Sequence, residues 1–420
     1  MNIILFFYIP LTYCHIIEIP FYREIKNEKD LTSFLYNNII YTNLEIGEPK
    51  QKIKTYLNFT QYYYYITDIS INGIYNKNLS KTYKLTIPFE KSYFKQDFEK
   101  GFPSSEKISL NINKKILNLE KFPFILATKA KNKLCDSIIG FNFGNQLISF
   151  DENFIYQLKQ KKLISSLYFT IKYENNNKGY IIIGDLPHNY DNTLKSEFYI
   201  YTSSYFPSSI NSYELKFDLV SYGNEQIEYS TLIHFNYNFY GLISNYQMKE
   251  IVDMYFFNKY ISEKKCFNNT FNNNNTIYYY CNKDVDISKL KDISFFHKIL
   301  NFTFVLNYKD LFIENNGKLY FLIFFENSSE RKWIFGEIFF KKYQMTFEQD
   351  KKLIGFYVGR NNFSTSNTYF IIIFILILLI IGLIYIIYNL IINRPRRKKA
   401  NELNEDFDYI PNELFIKMKN

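Results

Sequence analysis

The chain has 420 residues, a net charge of +9 and 20% aromatic residues. That length holds two domains or one large two-lobed one, with ample apolar material for a core. No Lys/Arg patch is interleaved with aromatics, which argues against nucleic acid as a partner. No CxxC or His/Cys cluster has metal-ligand spacing, so neither a metal nor a cofactor is expected. Phe, Tyr, Ile, Asn and Lys are used heavily along the whole chain, so neither the tyrosine run Tyr62 to Tyr65 nor the asparagine run Asn272 to Asn275 is read as functional.

In chain order, residues 1–14 ("MNIILFFYIPLTYC") form a short apolar run ending in Thr12-Tyr13-Cys14, read as a signal peptide although it lacks a positive n-region, with an N-terminal core strand as the alternative. Residues 15–39 form a short N-terminal segment. From Ile40 to Tyr357 short stretches with period-two alternation are broken by Asn, Gly, Pro and Ser turns; "YTNLEIG", "KIKTYLNF", "EKISLNI", "KGYIIIG" and "LNFTFVLNY" read as strands. Helical periodicity is confined to Phe154 to Ile164 and Ser244 to Tyr260, so the fold class is all-β with minor helices. A quasi-repeat, Ile138-Ile139-Gly140 and Ile334-Phe335-Gly336, falls late in each half. Residues 361–368 read as a polar stalk. The uncharged apolar run of residues 369–392 is long enough to cross a bilayer, which takes about 20 residues. "RPRRKK" comes directly after it and places the tail, 393–420, on the cytosolic side. The expected topology is a single-pass type I membrane protein whose bulk is luminal or extracellular. After signal removal Cys135, Cys266 and Cys281 remain; a Cys266–Cys281 disulfide would close a short loop around the asparagine run, leaving Cys135 as a buried thiol.

Four stretches in this order resemble the pepsin-like aspartic proteases. They are "IGEPKQKIKTYL", "DSIIGF", "LKQKKLISSLYFTI" with "GYIIIGDLPHNY", and most specifically "WIFGEIFFKKYQMTFEQDKKLIGFY". The resemblance implies a bilobal β fold, with an N-lobe over residues 40–195, a C-lobe over 196–360 and a substrate cleft between them. Each lobe of the family supplies one aspartate from an Asp-Thr/Ser-Gly turn, and the two carboxylates share a proton during hydrolysis. Gly140 and Gly336 would pack beneath those turns.

Counting from Gln51 puts Asn58, with Phe59 and Thr60 after it, at the first catalytic position. The matching stretch in the second lobe puts His234 at the other, 234 − 58 = 176 residues later. Asp68 and Asp218 are the nearest acids, but neither precedes Thr/Ser-Gly and both break the spacing. An amide cannot exchange protons near neutral pH. An imidazole can, but no second His or acid lies at metal-ligand spacing from His234. The flap of the family corresponds to "KSYFKQDFEKG", with Tyr93 or Phe94 at its tip and a single glycine, Gly101. "IEIPFYR" resembles the start of a prosegment, but the stretch between it and Tyr41 is too short to plug a cleft. Sequons occur at Asn58, Asn78, Asn268, Asn274, Asn301, Asn327 and Asn362, of which Asn58 is expected to be buried.

The expectation is a membrane-anchored pseudoprotease of the secretory pathway or cell surface, binding a peptide or secretory protein in its cleft. Its rivals are an active aspartic-type endopeptidase with a non-standard site, and a structural or adhesion protein of the surface.

Overall fold

The computed structural model describes residues 16–23, most of 40–359, and 379–388. The segment read as a signal peptide, Tyr93, Phe94, Cys135, the stalk and the tail lie outside the described residues.

Strands dominate, in two large sheets, as a pepsin-like fold requires. In the first, the N-terminal strand Ile17–Arg23 lies between Lys178–Ile183 and Ile40–Ile46. Gln51–Asn58 and Ser137–Gly140 continue the sheet on one side. On the other side come Tyr168–Asn175 and two strands from the far end of the sequence, Thr346–Glu348 and Leu353–Val358, the latter paired with Phe198–Ser203. Two strands from beyond residue 345 are therefore part of the first sheet. The second sheet centres on the hairpin Glu214–Tyr222 and Glu225–Phe235, flanked by Ile293–His297 and Lys332–Phe335.

Alternation explains why these segments are strands. In Ile40–Ile46 every second side chain, Ile40, Thr42, Leu44 and Ile46, is buried while the intervening ones are half-buried or exposed. The core is unusually aromatic: Trp333, Tyr64, Tyr65, Tyr222, Tyr237 and Phe141 are all under 2% exposed. Such rings pack edge-to-face, as Trp333 does on Phe295 with centroids 5.1 Å apart and planes at 84°. Burying one large apolar side chain stabilises by about 1.5–3 kcal/mol, so the abundance of Phe and Tyr serves the interior.

Both anticipated helices form. Phe154–Gln160 begins at Asn153, whose side chain accepts the Tyr156 N–H at 3.0 Å. The second runs from Tyr246 to Ser262, with a π-helical turn over Asp253–Phe257, and Asn245 caps it by accepting the Met248 N–H at 3.1 Å. Cys266 and Cys281 face each other across adjacent strands and form a disulfide. Residues 379–388 are helical with their large apolar side chains more than half exposed. No helix among the described residues is long and apolar enough to cross a membrane; most of the expected span, 369–392, falls outside them.

Candidate functional site: two facing turns

The first turn is built by a parallel register. Tyr56, Leu57 and Asn58 lie opposite Ile138, Ile139 and Gly140. Asn58 ends its strand, and its Oδ1 accepts three hydrogen bonds from its own turn: Thr60 N–H at 2.8 Å, Thr60 Oγ1–H at 2.8 Å and Gln61 N–H at 3.0 Å. This is the Asx-type closure that favours Asn at such a position. Below it, the Gly140 N–H donates to Tyr63 O and the Phe141 N–H to Asn58 O, each at 2.8 Å. A Cβ on Gly140 would come within 2.5 Å of Gln61 O, so only glycine allows the approach.

The second turn repeats the first. His234 and Phe235 lie opposite Ile334 and Phe335, so Asn236 is the next residue in step and comes level with Gly336. The Asn236 N–H donates to Phe335 O at 2.9 Å. The Gly336 N–H donates to Gly241 O, and a Cβ on Gly336 would lie 2.3 Å from Phe239 O. Offsets from the asparagine agree: 63 − 58 = 5 and 241 − 236 = 5 for the glycine N–H acceptor, 61 − 58 = 3 and 239 − 236 = 3 for the blocked carbonyl. Asn236, two residues beyond His234, is thus the internal counterpart of Asn58.

The two turns meet. The ring of Phe59 lies 4.7 Å from that of Tyr237, each being the residue after its asparagine. The Tyr213 hydroxyl donates to Phe141 O at 3.4 Å, and the Phe235 N–H to Tyr213 O at 3.0 Å, so a second bridge joins them.

His234 is half-buried at the end of its strand, with Nδ1 at 3.3 Å from Oε1 of Glu214, a carboxylate with no exposed surface. The strands place these residues directly opposite each other. Sequence reasoning missed Glu214. The hairpin pairs Tyr222 with Glu225, so uninterrupted counting sets 222 + 225 − 234 = 213 opposite His234. A bulge between Val220 and Ser221 shifts the register by one and brings in Glu214 instead. Asn236 had a signal that went unread: Leu57-Asn58-Phe59 and Phe235-Asn236-Tyr237 share an apolar–Asn–aromatic pattern.

The other acids considered have other partners. Asp68 is buried near Lys77 at 3.3 Å, and Asp218 accepts the Lys298 N–H at 2.7 Å. The flap candidate forms a hairpin, with Lys91 opposite Gly101 and Ser92 opposite Lys100, but its tip, with Tyr93 and Phe94, is outside the described residues.

After Gly336, Glu337 opens the helix Glu337–Tyr343 and is fully buried against Arg23 of the N-terminal strand. Lys341 Nζ also reaches Glu337, at 2.6 Å, and lies 4.8 Å from the Tyr173 ring centroid and 5.3 Å from that of Tyr240. Burial works against the Arg23 charge, but the Glu337 carboxylate outweighs it and holds the guanidinium above its ordinary pKa. Burial also raises the Tyr237 phenol well above its usual range, so it stays neutral.

No group of three or more His, Cys, Asp or Glu side chains that could hold a metal occurs among the described residues. A cavity of about 530 Å³, lined by Leu44, Lys52, Lys54, Leu110 and Ile116 among others, includes no residue of either turn.

The paired turns, each closed by an apolar-apolar-Gly strand, define the class, and the family model for eukaryotic aspartyl proteases matches residues 40–357. The chain belongs to that family. A search of curated proteins gives no match.

Proposed function

We propose that this is a catalytically inactive member of the family that binds a peptide or secretory protein between its two lobes. One observation carries the reading: the register makes Asn58 and Asn236 the matched residues of the two turns. On this assignment His234, placed at the second position by counting, gives way to Asn236, and both catalytic positions hold amides. Neither amide can take a proton from water or give one to a peptide oxygen. The Asn58 Oδ1 is already engaged in its own turn, so that side chain serves to shape the loop. The uncharged run of residues 369–392 and the basic stretch after it support a type I anchor, with the two-lobed part on the luminal or outer side. The test is incubation of the full-length protein with defined peptide pools; saturable binding without cleavage products supports the reading, and cleavage contradicts it.

A second reading rests on Glu214. A buried carboxylate holding Nδ1 of His234 leaves Nε2 as the ring's other nitrogen, the arrangement of a general base and its orienting acid. Peptide cleavage lost on His234→Ala would favour it.

A further inference from the structure

We infer that Asn301 carries an N-linked glycan that covers one exposed turn and the edge strand leaving it. The inference rests on the reading that the two-lobed part faces the lumen. Four of the chain's sequons have a described asparagine, and their surroundings differ. Asn58 is half-buried with its Oδ1 committed to three hydrogen bonds, and a glycan there would break the turn. Asn268 is hydrogen-bonded to the buried Tyr279 phenol. Asn78 is exposed, but the hydroxyl of its sequon serine, Ser80, accepts the Glu48 N–H at 3.2 Å.

Asn301 is placed differently. It closes the tight turn between Ile293–His297 and Phe302–Leu306, its N–H donating to Lys298 O at 3.0 Å, and its φ is +47°. Asparagine tolerates that left-handed conformation better than most residues. Asn301 and Thr303, the hydroxyl residue of the sequon, are both exposed. Beside them Ile299 is 84% exposed, an apolar tip with no cover of its own. Phe302–Leu306 is also the last strand of its sheet. Its middle is covered, because the Val305 N–H donates to the Tyr343 hydroxyl at 2.6 Å and that hydroxyl donates to Val305 O at 2.8 Å. Asn301 lies at the exposed-turn end of this edge strand, and edges of sheets invite pairing with other chains. A glycan at Asn301 stands at that end.

In the transfer step the Asn301 Nδ2 attacks the anomeric carbon of a polyprenyl-pyrophosphate oligosaccharide. The new N–C bond replaces the C–O bond to phosphate, the lipid pyrophosphate leaves, and Nδ2 gives up one proton.

The test is glycopeptide mass spectrometry on the full-length protein expressed in a glycosylating eukaryotic host. Amidase treatment should convert Asn301 to Asp, and Asn301→Gln or Thr303→Ala should each remove one glycan's mass, whereas Thr303→Ser retains it. An unmodified Asn301 alongside glycans at other sequons overturns the inference and leaves the luminal placement intact. Absence of glycan from every sequon overturns both.

Discussion

Phe59 and Tyr237 pack against each other across the junction of the two turns, with ring centroids 4.7 Å apart and planes tilted at 44°. The residue after each asparagine is thus a large ring, and the two rings meet where the turns do. Phe59 also lies 5.1 Å from Phe141 and nearly parallel to it, so the contact belongs to a continuous aromatic core. A double-mutant cycle with Phe59→Leu and Tyr237→Leu should show a coupling of about 0.5–1.5 kcal/mol. Additive effects would mean that the turns do not touch in solution.

Gly140 and Gly336 should not tolerate a methyl group. The atoms that a Cβ would strike, Gln61 O at 2.5 Å and Phe239 O at 2.3 Å, are backbone and cannot swing away. Gly140→Ala and Gly336→Ala should each destabilise by about 1–3 kcal/mol or more, measured by denaturant unfolding. Gly317→Ala is the contrast, since nothing lies within 4 Å of its Cβ and only its φ of +73° opposes the change.

The buried charges near the second turn make an ordered prediction. Arg23→Met leaves Glu337 with Lys341, whereas Glu337→Gln leaves Arg23 and Lys341 without their shared carboxylate. Breaking a buried pair costs about 3–5 kcal/mol. Arg23→Met should fall near the low end and Glu337→Gln near the high end in thermal or denaturant melts. The reverse order would contradict the network.

Much of this was legible in the chain, and the gaps have physical causes. Strand alternation, both helices and the closing signature around Trp333 could be read because burial imposes a period on them. The second turn could be placed only to within two residues, since counting along a rewritten loop has no anchor until the sheet supplies Phe235 opposite Phe335. Glu214 was hidden by a single bulge, a feature that leaves little trace in composition. "IEIPFYR" could be read only as a prosegment-like stretch, because its place as a strand in the middle of the first sheet depends on pairing with Lys178–Ile183, more than a hundred residues away.

Acid should weaken the second sheet through His297. This ring is buried, and its Nδ1 accepts the Leu300 N–H at 3.2 Å, which requires the neutral form. Burial lowers its pKa below the ordinary value of 6.5, with Asp218 pulling partly the other way. A depressed folded pKa means that the unfolded chain binds the proton more readily. The stabilisation is therefore full above about pH 6.5 and is lost as pH falls through the folded value. Melting temperatures between pH 7 and pH 5 should fall more steeply for the wild type than for His297→Gln, and equal slopes would count against the assignment.

The most direct measurement is turnover of a broad peptide library by the full-length protein from acid to neutral pH, with Asn236→Ala and His234→Ala alongside. On the proposed assignment both matched positions hold amides, so bound substrate would gain nothing that is stronger in the transition state than in the ground state. The proposed inactivity predicts no cleavage above the uncatalysed background for any of the three proteins. Robust cleavage by the wild type, abolished by either substitution, would contradict it.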